Sequence, residues 1–199
     1  MKNTILITGG NGFIGRALTD KLLQEGYNVR IVTRRTPKQQ PANPAVTLVQ
    51  ADYNDVKSLE KALSGCVGVF HLAAAIFGFN RADFEQANVI ATQNVVSAVN
   101  NTPEIKTFVH VSSLAASGFA SDKDHPRTED MAPKPVSDYG ITKLGGEKAV
   151  KTLRPGVKWT DLRACLPDFV AESMKAALPL LDRRLHGFAD PDAVLTGVE

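Results

Sequence analysis

The chain has 199 residues, 43% hydrophobic and 22% charged, and its 23 basic and 21 acidic side chains leave a formal net charge of +2. These are ordinary globular values, which exclude wholesale disorder and fibrous repeats, and the length predicts one main core rather than two domains of about 100–200 residues each. No block of like charges marks a nucleic-acid arm and no apolar run approaches the roughly 18 residues of a membrane span, so neither nucleic acid nor a membrane is an expected partner.

The opening segment MKNTILIT has an apolar stretch too short for a signal peptide, and a cytoplasmic protein is expected. Its β-branched residues predict a first strand over Thr4–Thr8. A glycine-rich turn and a helix over Gly12–Gln24 follow, then a strand over Asn28–Thr33. RRTPKQQPANPA, with three prolines, reads as a solvated loop before a strand over Val46–Gln50. Further along, helices are predicted over Val56–Leu63, Asp83–Asn100 and Asp138–Thr152, and strands over Val67–Leu72, Thr107–Ser112 and Lys158–Leu162. The stretch from Ser117 to Asp138 is long and polar, as functional lids often are. Alternating strands and helices predict a Rossmann-type, doubly wound α/β fold: a parallel sheet with helices on both faces. Cys66 and Cys165 have neither CxxC spacing nor a histidine partner in sequence, so both read as buried thiols in a reducing compartment, and no metal is expected.

TGGNGFIG, Thr8 to Gly15, stands between a predicted strand and a predicted helix, which is the context a nucleotide cradle requires. In that role Gly9 permits the tight turn, Gly12 lets the backbone approach a pyrophosphate, and Gly15 lets the helix pack on the strand. The helix N-terminus would supply unpaired N–H groups to the phosphates. Near the other end, YGITK places Tyr139 and Lys143 on one helix face. A tyrosine is a poor base at neutral pH, and a neighbouring ammonium favours its phenolate, so the pair suits acid–base work. Ser112 and Ser113 end a buried strand at its carboxyl edge, where open α/β sheets bind ligands.

Together these motifs resemble the extended branch of the short-chain dehydrogenase/reductase superfamily, which contains nucleotide-sugar epimerases, dehydratases and dihydroflavonol-type reductases. The resemblance runs from Met1 to about Arg163. It implies an NAD(P)-binding domain over residues 1–163 and cofactor contacts from Gly9, Gly12, Phe13, Ile14 and Gly15. Further contacts are implied from Asp52 and Tyr53, from Leu72, Ala73 and Ala74 in HLAAA, and from Tyr139 and Lys143. The second strand ends in Thr33, Arg34 and Arg35 without a carboxylate, which favours NADP over NAD through Arg34; solvated loop charges are the alternative. The catalytic residues implied are Ser113, Tyr139, Lys143 and Asn88, with Ser112 left to cap the strand end. His71 reads as a packed strand-end histidine, and Phe84, Val95 and Val99 as core or dimer-face residues.

The implied activity is an NAD(P)-dependent oxidoreductase or epimerase/dehydratase acting on a small carbonyl, hydroxyl or nucleotide-sugar substrate, as a homodimer. After Arg163 the sequence departs from the family. Ala164 stands where a proline is usual, and residues 164–199 predict a short helical segment in place of a substrate-binding portion. A non-catalytic NAD(P)-binding protein is the alternative this departure raises, and a longer enzyme cut short is another.

Overall fold

The computed structural model describes residues 3–154, apart from positions 121, 123, 124, 126 and 129. The expected strand over Lys158–Leu162, Cys165 and the segment 164–199 lie outside the described residues. Five strands, β1 (Thr4–Thr8), β2 (Asn28–Thr33), β3 (Val46–Gln50), β4 (Cys66–His71) and β5 (Thr107–His110), form one parallel sheet in the order β3-β2-β1-β4-β5. The helices are α1 (Phe13–Gln24), α2 (Val56–Leu63), α3 (Arg81–Glu85), α4 (Ala91–Asn100), α5 (Leu114–Ser117) and α6 (Asp138–Val150). A π-turn over Gln86–Ile90 joins α3 to α4.

The two-residue period of β1 splits the core into two layers. Leu6 packs with Leu59, Leu63, Val69, Val95 and Val99 beneath α2 and α4. Ile5 and Ile7 point the other way, onto Val29, Ile31 and Leu22 of α1. Each such side chain removed from water contributes about 1.5–3 kcal/mol, so a one-residue slip of β1 would forfeit both layers. The sheet is therefore covered on both faces, as its apolar strands predict.

Against expectation, α1 starts one residue later, at Phe13, α6 ends two residues sooner, at Val150, and β4, β5 and the third helix also differ. β4 runs one residue earlier, from Cys66 to His71. β5 stops at His110, because its neighbour β4 ends at His71. Val111 N still donates to the His71 carbonyl at 3.1 Å, but beyond it the ladder has no partner strand. The third helix starts at Arg81, where the Asn80 side chain accepts from Asp83 N, and the π-turn interrupts it. The polar stretch is also preceded by the single turn α5, capped by Ser113.

Candidate active site

The strand order reverses at β1, so a crevice opens beyond the carboxyl ends of β1 and β4. The glycine-rich turn fills the β1 side. Gly9 has φ +71, and a Cβ there would lie 2.9 Å from Ala73 N, so the turn presses directly on the loop after β4. A Cβ on Gly15 would lie 2.5 Å from both Gly10 Cα and the Gly9 oxygen, which is how closely α1 sits on its own turn. At Gly12 a Cβ would meet only the Gly9 oxygen, at 3.2 Å, and otherwise open space. α2, α3, α5 and α6 each begin with a side chain that accepts a first-turn N–H. α1 does not: it begins on Gly12 with no side-chain cap and no acidic residue in its first turn. Its orphan amides and its positive dipole end face outward together. Phe13 and Ile14, on the same turn, are exposed.

All five strands deliver a sequence-predicted residue to this edge. Arg34 follows β2 and Asp52 follows β3; both are exposed, and one Asp52 oxygen accepts Asn54 N at 2.9 Å. Tyr53 turns inward against the α2–α4 core. Burial pushes its phenol up to about 12, opposed by the nearby Thr8 hydroxyl and the charge of Arg34. Leu72 and Ala73 follow β4, and their amides donate to the Thr8 hydroxyl at 3.1 Å each.

A buried polar chain ties these loops to the helices. The Thr92 hydroxyl donates to the Asn88 carbonyl one turn back at 2.8 Å, so its lone pairs accept from His71 Nε2 at 3.0 Å. His71 Nδ1 is then the acceptor for the Thr8 hydroxyl at 2.7 Å. This donor count makes His71 a neutral, fully satisfied ring, and burial holds its pKa down to about 3, with Lys143 adding to the shift. It is the packed histidine expected from the sequence. His110 stacks on it at 5.3 Å and is also buried, but neither of its ring nitrogens has a partner. Burial, with the neighbouring His71 ring and the charge of Lys143, lowers its pKa to about 2.

Both histidines are neutral in the fold and would take up protons near pH 6.5 in the unfolded chain. Their stabilising contribution is complete above about pH 6.5 and is lost progressively as pH falls towards 3 and 2, by about 1.4 kcal/mol per pH unit for each proton taken up. Melting temperatures measured from pH 8 to pH 4 should hold level at first and then fall below about pH 6.5; a level curve to pH 4 would contradict this.

Asn88 sits in the π-turn and is buried. Its Oδ1 accepts Ala75 N at 2.8 Å, and its Nδ2 donates to the Ala75 carbonyl at 3.1 Å and to Thr142 Oγ1 at 3.2 Å. One side chain thus joins the loop after β4 to α6. α6 approaches closely because Gly145 and Gly146 have no Cβ to strike Val89 and the Asn88 carbonyl.

α6 also carries Tyr139, half-buried with its ring edge-on to Phe84 at 6.3 Å. Phe84 therefore packs against the candidate site, while Val95 and Val99 are core. Lys143 is buried, and its Nζ donates to the Val111 carbonyl at 2.7 Å. Burial pushes its pKa down to about 8, with the Glu147 charge acting the other way, so it remains a cation at neutral pH. Ser113 accepts Ala115 N at 3.2 Å, and Ser112 is turned aside to Glu147 at 2.5 Å. Ser112 thus has a side-chain partner on α6 and no strand end to cap. The sequence reading missed Thr8, Thr142 and Glu147. Only Glu147, one turn beyond Lys143, carried a signal in its spacing.

A family model described as the NAD dependent epimerase/dehydratase family matches residues 5–166. The chain belongs to this family. It is 32% identical over 169 residues to the UDP-glucose 4-epimerase of Corynebacterium glutamicum, covering 80% of this chain and 50% of that one. It is 30% identical over 157 residues to a putative dihydroflavonol 4-reductase of Synechocystis, covering 76% of this chain and 45% of that one. Among solved structures, it matches MoeE5 in complex with UDP-glucose and NAD with a TM-score of 0.63 and 31% identity, covering 74% of this chain and 48% of that one. The chain spans about half the length of the curated family members it matches. Among the described residues, no helix is long and apolar enough to cross a membrane, and no group of His, Cys, Asp or Glu could hold a metal ion.

Proposed function

We propose that this chain is an NAD(P)-dependent oxidoreductase or epimerase/dehydratase acting on a carbonyl, hydroxyl or nucleotide-sugar substrate. The observation that carries this reading is that α6 brings Tyr139 and the buried Lys143 to the same sheet edge as the uncapped start of α1. A dinucleotide fits the residues present: open space at Gly12 and unsatisfied α1 amides suit a pyrophosphate, and the small Ala73 and Ala74 admit a flat ring. When bound, it supplies the hydride donor or acceptor.

The chain's own groups do the rest. Tyr139 donates or removes a proton at the substrate oxygen. Ser113 spends one lone pair on Ala115 N, which leaves its O–H free to hold that oxygen. Lys143 spends one N–H on Val111, leaving two for a ribose hydroxyl, and its charge favours the phenolate of Tyr139. Asn88 fixes the loop after β4 against α6. The reading includes a cytoplasmic homodimer formed through α3–α4 and α6; a monomer in light scattering would contradict the dimer.

Fluorescence titration with NADPH and NADH, followed by a screen of aldehydes, ketones and nucleotide sugars for turnover, tests the function. Turnover is expected, and binding of neither nucleotide would overturn the reading. Binding without turnover would favour a non-catalytic nucleotide-binding role. NADP is the proposed form, because Arg34 directly follows the second strand with no carboxylate beside it. Arg34→Glu should weaken NADPH about ten-fold relative to NADH, the loss of one charge-assisted contact. Tighter binding of NADH by the native chain would remove the NADP assignment.

A further inference from the structure

Three residues of α6 at four-residue spacing, Tyr139, Lys143 and Glu147, lie along one stripe of the helix. Two of them take hold of consecutive residues after β5. Lys143 Nζ donates to the Val111 carbonyl at 2.7 Å, and the Glu147 carboxylate accepts from the Ser112 hydroxyl at 2.5 Å. The next residue, Ser113, caps α5, and α5 abuts α6 so closely that a Cβ on Gly140, beside Tyr139, would lie 2.2 Å from the Ala115 carbonyl. The two adjacent serines are therefore not equivalent: one is tied to the helix, and the other keeps its proton for a ligand.

We propose that Glu147 is a positioning residue: it ties Ser112 to α6 so that Ser113 meets the substrate oxygen, and it supplies the counter-charge for the buried Lys143 ammonium. The proposal rests on the oxidoreductase reading for what Ser113 and Lys143 do. Its physical content concerns this chain alone. The titratable groups that face Lys143 from β4 and β5 are His71 and His110, and both rings are neutral. Neither offsets the ammonium. On its own helix, the Glu147 charge favours the cation against burial.

Two measurements on the full chain, neither needing cofactor or substrate, test the two halves. The first is the pH titration of the Lys143 side chain by lysine-selective 13C NMR, assigned with Lys143→Arg. Glu147→Gln keeps an acceptor for Ser112 but removes the charge, so the Lys143 midpoint should move to lower pH than in the native chain. A purely structural role would leave that midpoint in place, and an unmoved midpoint in a folded Gln variant would overturn the proposal. The second is amide hydrogen exchange over residues 111–117. Ser112→Ala and Glu147→Asp should both speed exchange there, while Glu147→Asp keeps the Lys143 midpoint close to native. Unchanged exchange in both variants would overturn the positioning half. If the chain bound no dinucleotide, the oxidoreductase reading would fail, and both of these results would remain readable.

Discussion

Tyr139→Phe is expected to lower turnover by about 10²–10⁴-fold, the usual contribution of a positioned acid or base, while leaving dinucleotide affinity close to native. The asymmetry follows from what the substitution keeps. The phenyl ring retains its edge contact with Phe84, and Lys143 retains its bond to Val111. Only the hydroxyl is lost, so the proton at the substrate oxygen has no donor or acceptor. Cofactor oxidation rates alongside a fluorescence titration check both halves of the expectation. Retained turnover in a folded variant would take Tyr139 out of this role.

The second large effect is expected at the glycine-rich turn, where two neighbouring substitutions should separate folding from binding. Gly15→Ala forces a Cβ to within 2.5 Å of Gly10 Cα and the Gly9 oxygen, both backbone atoms that cannot swing away. α1 must lift off its turn, at a cost of about 2–3 kcal/mol, the upper part of the usual range for overpacking. The melting temperature should fall by roughly 5–10 °C, and dinucleotide binding should be lost with it. Gly12→Ala meets only the Gly9 oxygen, at 3.2 Å, and Gly12 has φ −75, which any residue adopts. That variant should melt close to the native temperature yet bind dinucleotide more weakly, because its methyl group occupies the space above the turn. Calorimetric melting and the same titration decide the matter. Full affinity in Gly12→Ala would show that no phosphate approaches there.

Much of this was legible from local pattern. The alternation of apolar runs gave the sheet and its covering helices, because a parallel strand buried on both faces must be apolar throughout. Gly9, Gly12, Gly15, Tyr139 and Lys143 stood out because each proposed role demands a particular residue type at a fixed spacing. Other features depend on partners far along the chain. β5 ends at His110 because β4 ends at His71, which nothing in TFVHVSS announces. The π-turn that carries Asn88 to both Ala75 and Thr142 leaves the apolar period of a helix almost undisturbed. Thr8 read as a strand residue, yet its hydroxyl accepts two amides from the β4 loop and meets His71. Glu147 meets Ser112, 35 positions away in the chain, and its i, i+4 spacing from Lys143 says nothing of that partner.

The strand order has a last consequence, for how such a protein can change. β2 and β3, bearing Arg34 and Asp52, lie to one side of β1; β4 and β5, with α6 beyond them, lie to the other. The groups that would choose a nucleotide carrier are thus separated by the central strand from those that would handle the substrate's proton. Alterations at well-separated sites tend to add without interfering. A lineage built on this frame can exchange one carrier for another, residue by residue, and inherit its acid–base residues untouched.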